Sequence, residues 1–170
     1  MVRSLTGQVE AAISELDGAY YRLVLLAGPA RSGKTRTLCA LTAQRHWPRI
    51  NVNMELSERL LELTHRQRAV HVVGILEDLV SQQTENVILL DNIEILFATA
   101  LSQDPLRLLQ SLARNRAIVA AWPGTFDGTN LIYAEPGHPE VRRYSRPQIS
   151  IVTTDAAASE NPTRSPEGTP

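Results

Sequence analysis

Gly28-Pro29-Ala30-Arg31-Ser32-Gly33-Lys34-Thr35 matches the pattern G-x-x-x-x-G-K-[ST] at every fixed position. In a loop of this kind two glycines let the backbone curl, so that successive N–H groups turn inward at the start of a helix and form a nest for phosphate oxygens. The lysine, Lys34, reaches the β- and γ-phosphates, and the hydroxyl of Thr35 holds Mg²⁺. The residues just before the loop, Arg22-Leu23-Val24-Leu25-Leu26-Ala27, are a short apolar run suited to a buried parallel strand. Those after it, Thr35 to Arg45, read as a helix with Leu38 and Leu41 on one face. Strand, glycine loop, helix is the context that separates this motif from an ordinary glycine-rich turn. The expectation is a nucleotide site built from Gly28, Pro29, Ala30, Arg31, Ser32, Gly33, Lys34, Thr35 and Arg36.

The second informative stretch is Asn86-Val87-Ile88-Leu89-Leu90-Asp91-Asn92-Ile93-Glu94-Ile95-Leu96. Four consecutive aliphatics run into an aspartate, the pattern of a Walker B strand whose acid lies at the carboxyl end of the sheet near Mg²⁺. Asp91 is therefore expected to join Thr35 at the metal, its alternative being a turn or helix-cap aspartate. Hydrolytic members of the ASCE branch of P-loop proteins often carry a glutamate directly after this aspartate. Here the position holds Asn92, whose amide cannot act as a general base. Glu94 is the candidate that orients or deprotonates water in its place. It reads equally well as an exposed glutamate at the start of a helix.

Residues 104–114 form a helix in this reading, with Asp104 as N-cap, Pro105 at the first helical position and Leu106, Leu109 and Leu112 on the buried face. Arg114 and Arg116 close it ahead of a buried strand at residues 117–122. Cations at a helix C-terminus are favourable in themselves. The sharper alternative is an arginine finger, Arg114 or Arg116 reaching a γ-phosphate in its own or a neighbouring subunit.

Elsewhere the chain supplies scaffolding. Residues 4–18 read as a helix capped by Ser4, residues 49–53 as a strand, 54–63 and 69–83 as helices. Residues 123–130 carry turn chemistry, 131–134 read as the last core strand, and 135–140 form another turn. Arg142, Arg143 and Arg146 flank Tyr144, a cluster suited to phosphate or to a partner-facing surface. His46, His65 and His71 have no metal-ligand spacing. From Asp155 onward there is no large hydrophobe, which suggests a disordered tail. The division expected is a nucleotide-binding domain over 1–152 and a tail over 153–170.

The whole 170-residue chain is 43% hydrophobic and 21% charged with a net charge of −1, the composition of an ordinary soluble globule with no broad attraction to nucleic acid. The lone cysteine, Cys39, excludes an intrachain disulfide and is expected as a small core residue in a reducing cytosol. No membrane-spanning run or signal-peptide pattern is present, so a cytoplasmic protein with no membrane partner is expected.

Taken together, GPARSGKT, NVNMELSERLLEL, ILLDNIEILF and AWPGTFDGTNLIYAEPGHPEVRRY resemble the BrxF family, small P-loop ATPases of type 3 BREX phage-defence systems. The resemblance runs from about residue 10 to about residue 150, and its specificity rests on the stretches after the phosphate loop. It implies ATP and Mg²⁺ as cofactors, with Gly28, Gly33, Lys34, Thr35 and Asp91 as the site. It also implies other BREX components as partners. The expected fold is a three-layer α/β P-loop NTPase domain, a parallel sheet of about five strands, AAA+/ASCE-like but without a C-terminal helical lid. The function expected is ATP binding with slow hydrolysis, coupled to homo-oligomer or partner assembly on DNA. A small-molecule or nucleotide kinase and a catalytically silent nucleotide-binding adaptor are the rivals.

Overall fold

The computed structural model describes residues 3–134 and 137–154. Its strands are β1 (Leu23–Gly28), β2 (Arg49–Asn51), β3 (Val87–Asp91), β4 (Ala117–Phe126), β5 (Asn130–Tyr133), β6 (Arg142–Ser145) and β7 (Ser150–Thr153). Five of them lie parallel in the order β2-β3-β4-β1-β7. β4 separates the strand that enters the glycine loop from the strand that ends in Asp91. The helices are α1 (Leu5–Ser14), α2 (Lys34–Arg45), α3 (Val52–Leu60), α4 (His65–Ser81) and α5 (Pro105–Leu112).

Strand alternation sorts the core into two layers. Leu23, Leu25, Ile88, Leu90, Ile118 and Ala120 face α3, α4 and α5. Val24, Leu26, Val87, Leu89 and Val119 face α1 and α2. A parallel sheet covered on both faces explains why β1 and β3 are apolar at every position instead of at every second one. Leu25 and Leu26 are wholly buried on opposite faces, each worth about 2 kcal/mol. The expected α/β architecture, with its mostly parallel sheet and helices on both sides, is what these contacts build.

Several local expectations need correction. Residues 123–126 are not turn: β4 runs on through them and pairs antiparallel with β5. The turn is confined to the residues around Gly128, where the Asp127 carboxylate accepts from the N–H groups of Thr129 and Asn130. β5 is a strand as expected, with Leu131 buried in the core, but it is the middle of an antiparallel ribbon, β4-β5-β6, with Arg142 and Arg143 on its last strand and Arg146 just past its end. The last parallel strand is β7, beside β1. Thr153 closes that strand and Thr154 is 6% exposed, so both belong to the domain and not to the tail. Residues 155–170 lie outside the described residues, as do 135 and 136 of the expected turn. Cys39 is exposed: Leu38 and Leu41 take the core-facing positions of α2.

Helix starts follow their caps. Ser4 and Asp104 accept from the backbone as expected. Asn51 caps α3, which therefore begins at Val52, two residues earlier than the pattern suggested. α4 begins at His65 behind a reciprocal box: Thr64 Oγ1 accepts from Gln67 N, and Gln67 Oε1 from Thr64 N. Among the described residues, no helix is long and apolar enough to cross a membrane.

Candidate functional site

β1 delivers the glycine loop to the carboxyl edge of the sheet, the edge where open α/β sheets place ligands. Its two glycines are required for different reasons. At Gly28 a Cβ would stand 2.3 Å from Thr154 Oγ1 and 2.4 Å from Ser32 Oγ, so no side chain fits. Gly33, the N-cap of α2, has open space but a φ of 96° that L residues avoid. Arg31 is also left-handed, at φ 61°. Such backbone turns are the material of anion nests.

Lys34 begins α2 and folds back over the loop. Its Nζ donates to the carbonyl oxygens of Gly28 at 2.5 Å and Pro29 at 2.6 Å. Burial lowers the lysine's pKa below its ordinary value, and the negative charges of Glu94 and Asp91 offset part of that shift.

Asp91 ends β3 with 2% exposure. One of its oxygens accepts from Asn92 N at 2.9 Å, and the other from Arg49 Nη1 at 3.0 Å. Asn92 then turns the chain, at φ 50°, in the left-handed region that asparagine tolerates better than most residues. The Asn92 carbonyl accepts from Asn53 N at 2.9 Å, and Asn53 Oδ1 accepts from Ile95 N at 2.8 Å. Those two bonds pin the start of the 3₁₀ turn Glu94–Phe97 to α3. The result is that Glu94 meets the glycine loop across a cleft of about 580 Å³, lined by residues 30–36, Asp91, Asn92 and Glu94.

The fit of this cleft to a polyphosphate and a cation can be tested on its own atoms. Among the described residues, Ser32 Oγ, Thr154 Oγ1 and Glu94 Oε2 are buried with no hydrogen-bond partner. Buried polar atoms rarely stay unpaired. The Ser32 hydroxyl on the cleft wall suits a phosphate oxygen, and the Glu94 carboxylate oxygen lining the same cleft suits water or a cation, while the Thr154 hydroxyl lies against Gly28. The donor set fits.

Most sequence-derived candidates converge here: residues 30–36, Asp91 and Glu94 line one cleft, with the Gly28 and Pro29 carbonyls behind Lys34. Arg114 and Arg116 do not. They precede β4, whose Ile118 pairs with Leu23 at the start of β1, while the loop leaves β1 beside Pro123. Five residues of strand, about 17 Å, separate the two edges. Arg114 lies over the rings of Tyr20 and Tyr21, at 5.6 and 6.0 Å. Arg116 donates to the carbonyls of Val80 at 3.0 Å and Gln83, closing the end of α4. A finger role within the same subunit is overturned for both. Arg49 and Thr154 are the residues that sequence reasoning missed. The polar face of the alternating Arg49-Ile50-Asn51 run was legible, but its position beside Asp91 depends on strand order.

No family model matches the sequence, and no curated protein matches it. Among solved structures, the chain is similar to C. elegans PCH-2 at 20% identity and a TM-score of 0.32, over 73% of this chain and 35% of that one. The chain thus spans about a third of that protein's length.

Proposed function

We propose that this chain is a P-loop NTPase that binds ATP with Mg²⁺, hydrolyses it slowly, and uses nucleotide state to switch its assembly with partners. The observation that carries the reading is the convergence of residues 30–36, Asp91 and Glu94 on one cleft. Mg-ATP, when bound, would supply a γ-phosphate as the electrophile for water, its charge partly offset by the cation. Lys34 exchanges the Gly28 and Pro29 carbonyls for phosphate oxygens. Thr35 and Asp91 hold the cation. Glu94, whose Oε2 is unpartnered, orients the water and accepts its proton.

The turn that carries Glu94 also carries Phe97, which stacks on Tyr133 with centroids 3.8 Å apart and meets Trp122 edge-on at 5.0 Å. Those contacts give the cleft a route to the β4-β5-β6 ribbon, through which nucleotide state would alter a partner-facing surface. Placement within a BREX phage-defence system, with its other components, DNA and further copies of the chain as partners in the cytoplasm, is proposed on the sequence resemblance alone.

Phosphate release by wild type, Lys34→Ala and Glu94→Gln, with ATP binding measured alongside, tests the reading. Turnover that vanishes in both variants, with binding kept in Glu94→Gln, supports it. The silent-adaptor reading is favoured by one observation, the Arg49 bond to Asp91. ATP binding with no turnover above the Lys34→Ala background would establish that reading instead.

A further inference from the structure

Asp91 is almost fully buried, yet its guanidinium partner comes from the rim. The Asp91 side chain is 3% exposed and that of Arg49 30%, with Nη1 and Oδ2 3.0 Å apart. A carboxylate buried this deeply is costly without a counter-ion, and Arg49 is the cation that meets it. Arg49 belongs to β2, the outer strand of the parallel sheet. Its Cα pairs with Leu89, two positions before Asp91, so the side chain runs along the sheet to make the contact. It does not line the nucleotide cleft. Instead it borders a separate surface hollow together with Glu55 and Arg59.

We propose that Arg49 is a resident counter-ion that gates Mg²⁺ at Asp91. It neutralises the aspartate in the empty protein and yields Oδ2 when Mg²⁺ arrives with nucleotide. The inference rests on the nucleotide-binding reading above and adds a regulation to it. With Arg49 in place, Asp91 offers no free charge to a cation alone, so the cation binds only with the phosphates that help displace the guanidinium. The released side chain stays at the rim, in the hollow where Glu55 already pairs with Arg59, so water rather than a new ion pair takes up its charge. Arg49 acts through Asp91, and its role is to position and gate, not to touch substrate.

The test compares wild type, Arg49→Met and Arg49→Lys in the full chain. Equilibrium binding of a fluorescent ATP analogue is followed across a Mg²⁺ titration, and melting is followed in EDTA and in Mg-ATP. Removal of the competing cation should lower the half-saturating Mg²⁺ about tenfold in Arg49→Met, with a smaller shift in Arg49→Lys. Arg49→Met should melt below wild type in EDTA, and Mg-ATP should close most of that gap. Unchanged Mg²⁺ dependence alongside a lower melting point would overturn the gate and leave a purely structural ion pair. A higher Mg²⁺ requirement would overturn it too, because Arg49 would then be aligning Asp91 for the metal. If Arg49→Met does not fold, the Arg49→Lys titration decides by the same criteria. Wild type that binds no nucleotide at any Mg²⁺ concentration would sink the site itself, an outcome distinct from equal curves.

Discussion

Lys34 Nζ lies 2.5 Å from the carbonyl oxygen of Gly28, so the loop's own cation closes the loop from which it springs. The same ammonium is partly desolvated, and its pKa falls below the ordinary 10.5. Unfolded chain therefore holds the proton more tightly than folded chain. The penalty of burying a charged Lys34 is present at low pH and relieved as pH climbs from the folded pKa to 10.5. Wild type should gain stability relative to Lys34→Met over that window, as read by urea unfolding at several pH values. A stability difference, wild type minus Lys34→Met, that is flat or falls as pH rises would contradict the desolvated lysine. The same variant should lose nucleotide binding.

The two loop glycines should fail differently. Gly28→Ala drives a methyl into Thr154 and Ser32, a steric conflict expected to cost about 1–3 kcal/mol. Because Thr154 supplies two of the three close atoms, Thr154→Ala should recover much of the loss in a double-mutant cycle. Gly33→Ala meets no atoms within 4 Å but must hold a φ of 96°, a backbone strain of about 1 kcal/mol or more. Thr154→Ala should not rescue it. Equal rescue of both variants, by urea unfolding, would show that Thr154 does not pack on Gly28.

The sequence disclosed the loop and Asp91 because their signals are local: a fixed pattern, and an apolar run ending in an acid. It disclosed Glu94 only as a choice, since the turn that aims it into the cleft depends on the left-handed Asn92 and on Asn53 in α3. The start of α4 was also legible, in the Thr64 to Gln67 capping box, although periodicity alone pointed several residues later. β7 carries only four residues behind Pro147, too little pattern to stand out. Arg49 and the remote placing of Arg114 and Arg116 follow from strand order, which no single segment contains.

Asn92 stands where a catalytic glutamate is often found, and its backbone explains the choice. At φ 50° the residue is left-handed, and its carbonyl is held by Asn53 N. A glutamate forced into that conformation should cost about 1 kcal/mol. Asn92→Glu is therefore expected to destabilise the fold without raising phosphate release above wild type. Asn92→Gly should keep the wild-type melting temperature within a few degrees. Faster turnover in Asn92→Glu would show that the left-handed backbone at position 92 can hold a working glutamate, and would overturn this account of the asparagine.

Tyr144 ties the antiparallel ribbon to the body of the domain. Its hydroxyl donates to Asp104 Oδ1 at 2.8 Å, the oxygen that also accepts from Arg107 N at the start of α5. Its ring meets Trp122 edge-on at 5.8 Å. Burial first, then the bond to Asp104 and the aspartate's charge, push the phenol's pKa well above its ordinary 10.0. Tyr144→Phe keeps the ring contact and removes the bond, so a loss of about 1 kcal/mol is expected. The advantage of tyrosine is fully present below pH 10.0, where both states keep the proton. Above it the unfolded phenol ionises while the folded one does not, and the advantage should decline as pH rises toward the folded pKa. Urea unfolding of the pair on either side of pH 10.0 reads the effect. A difference that stays constant through this range would mean that the hydroxyl is solvated, and that the bond to Asp104 does not help to hold the ribbon.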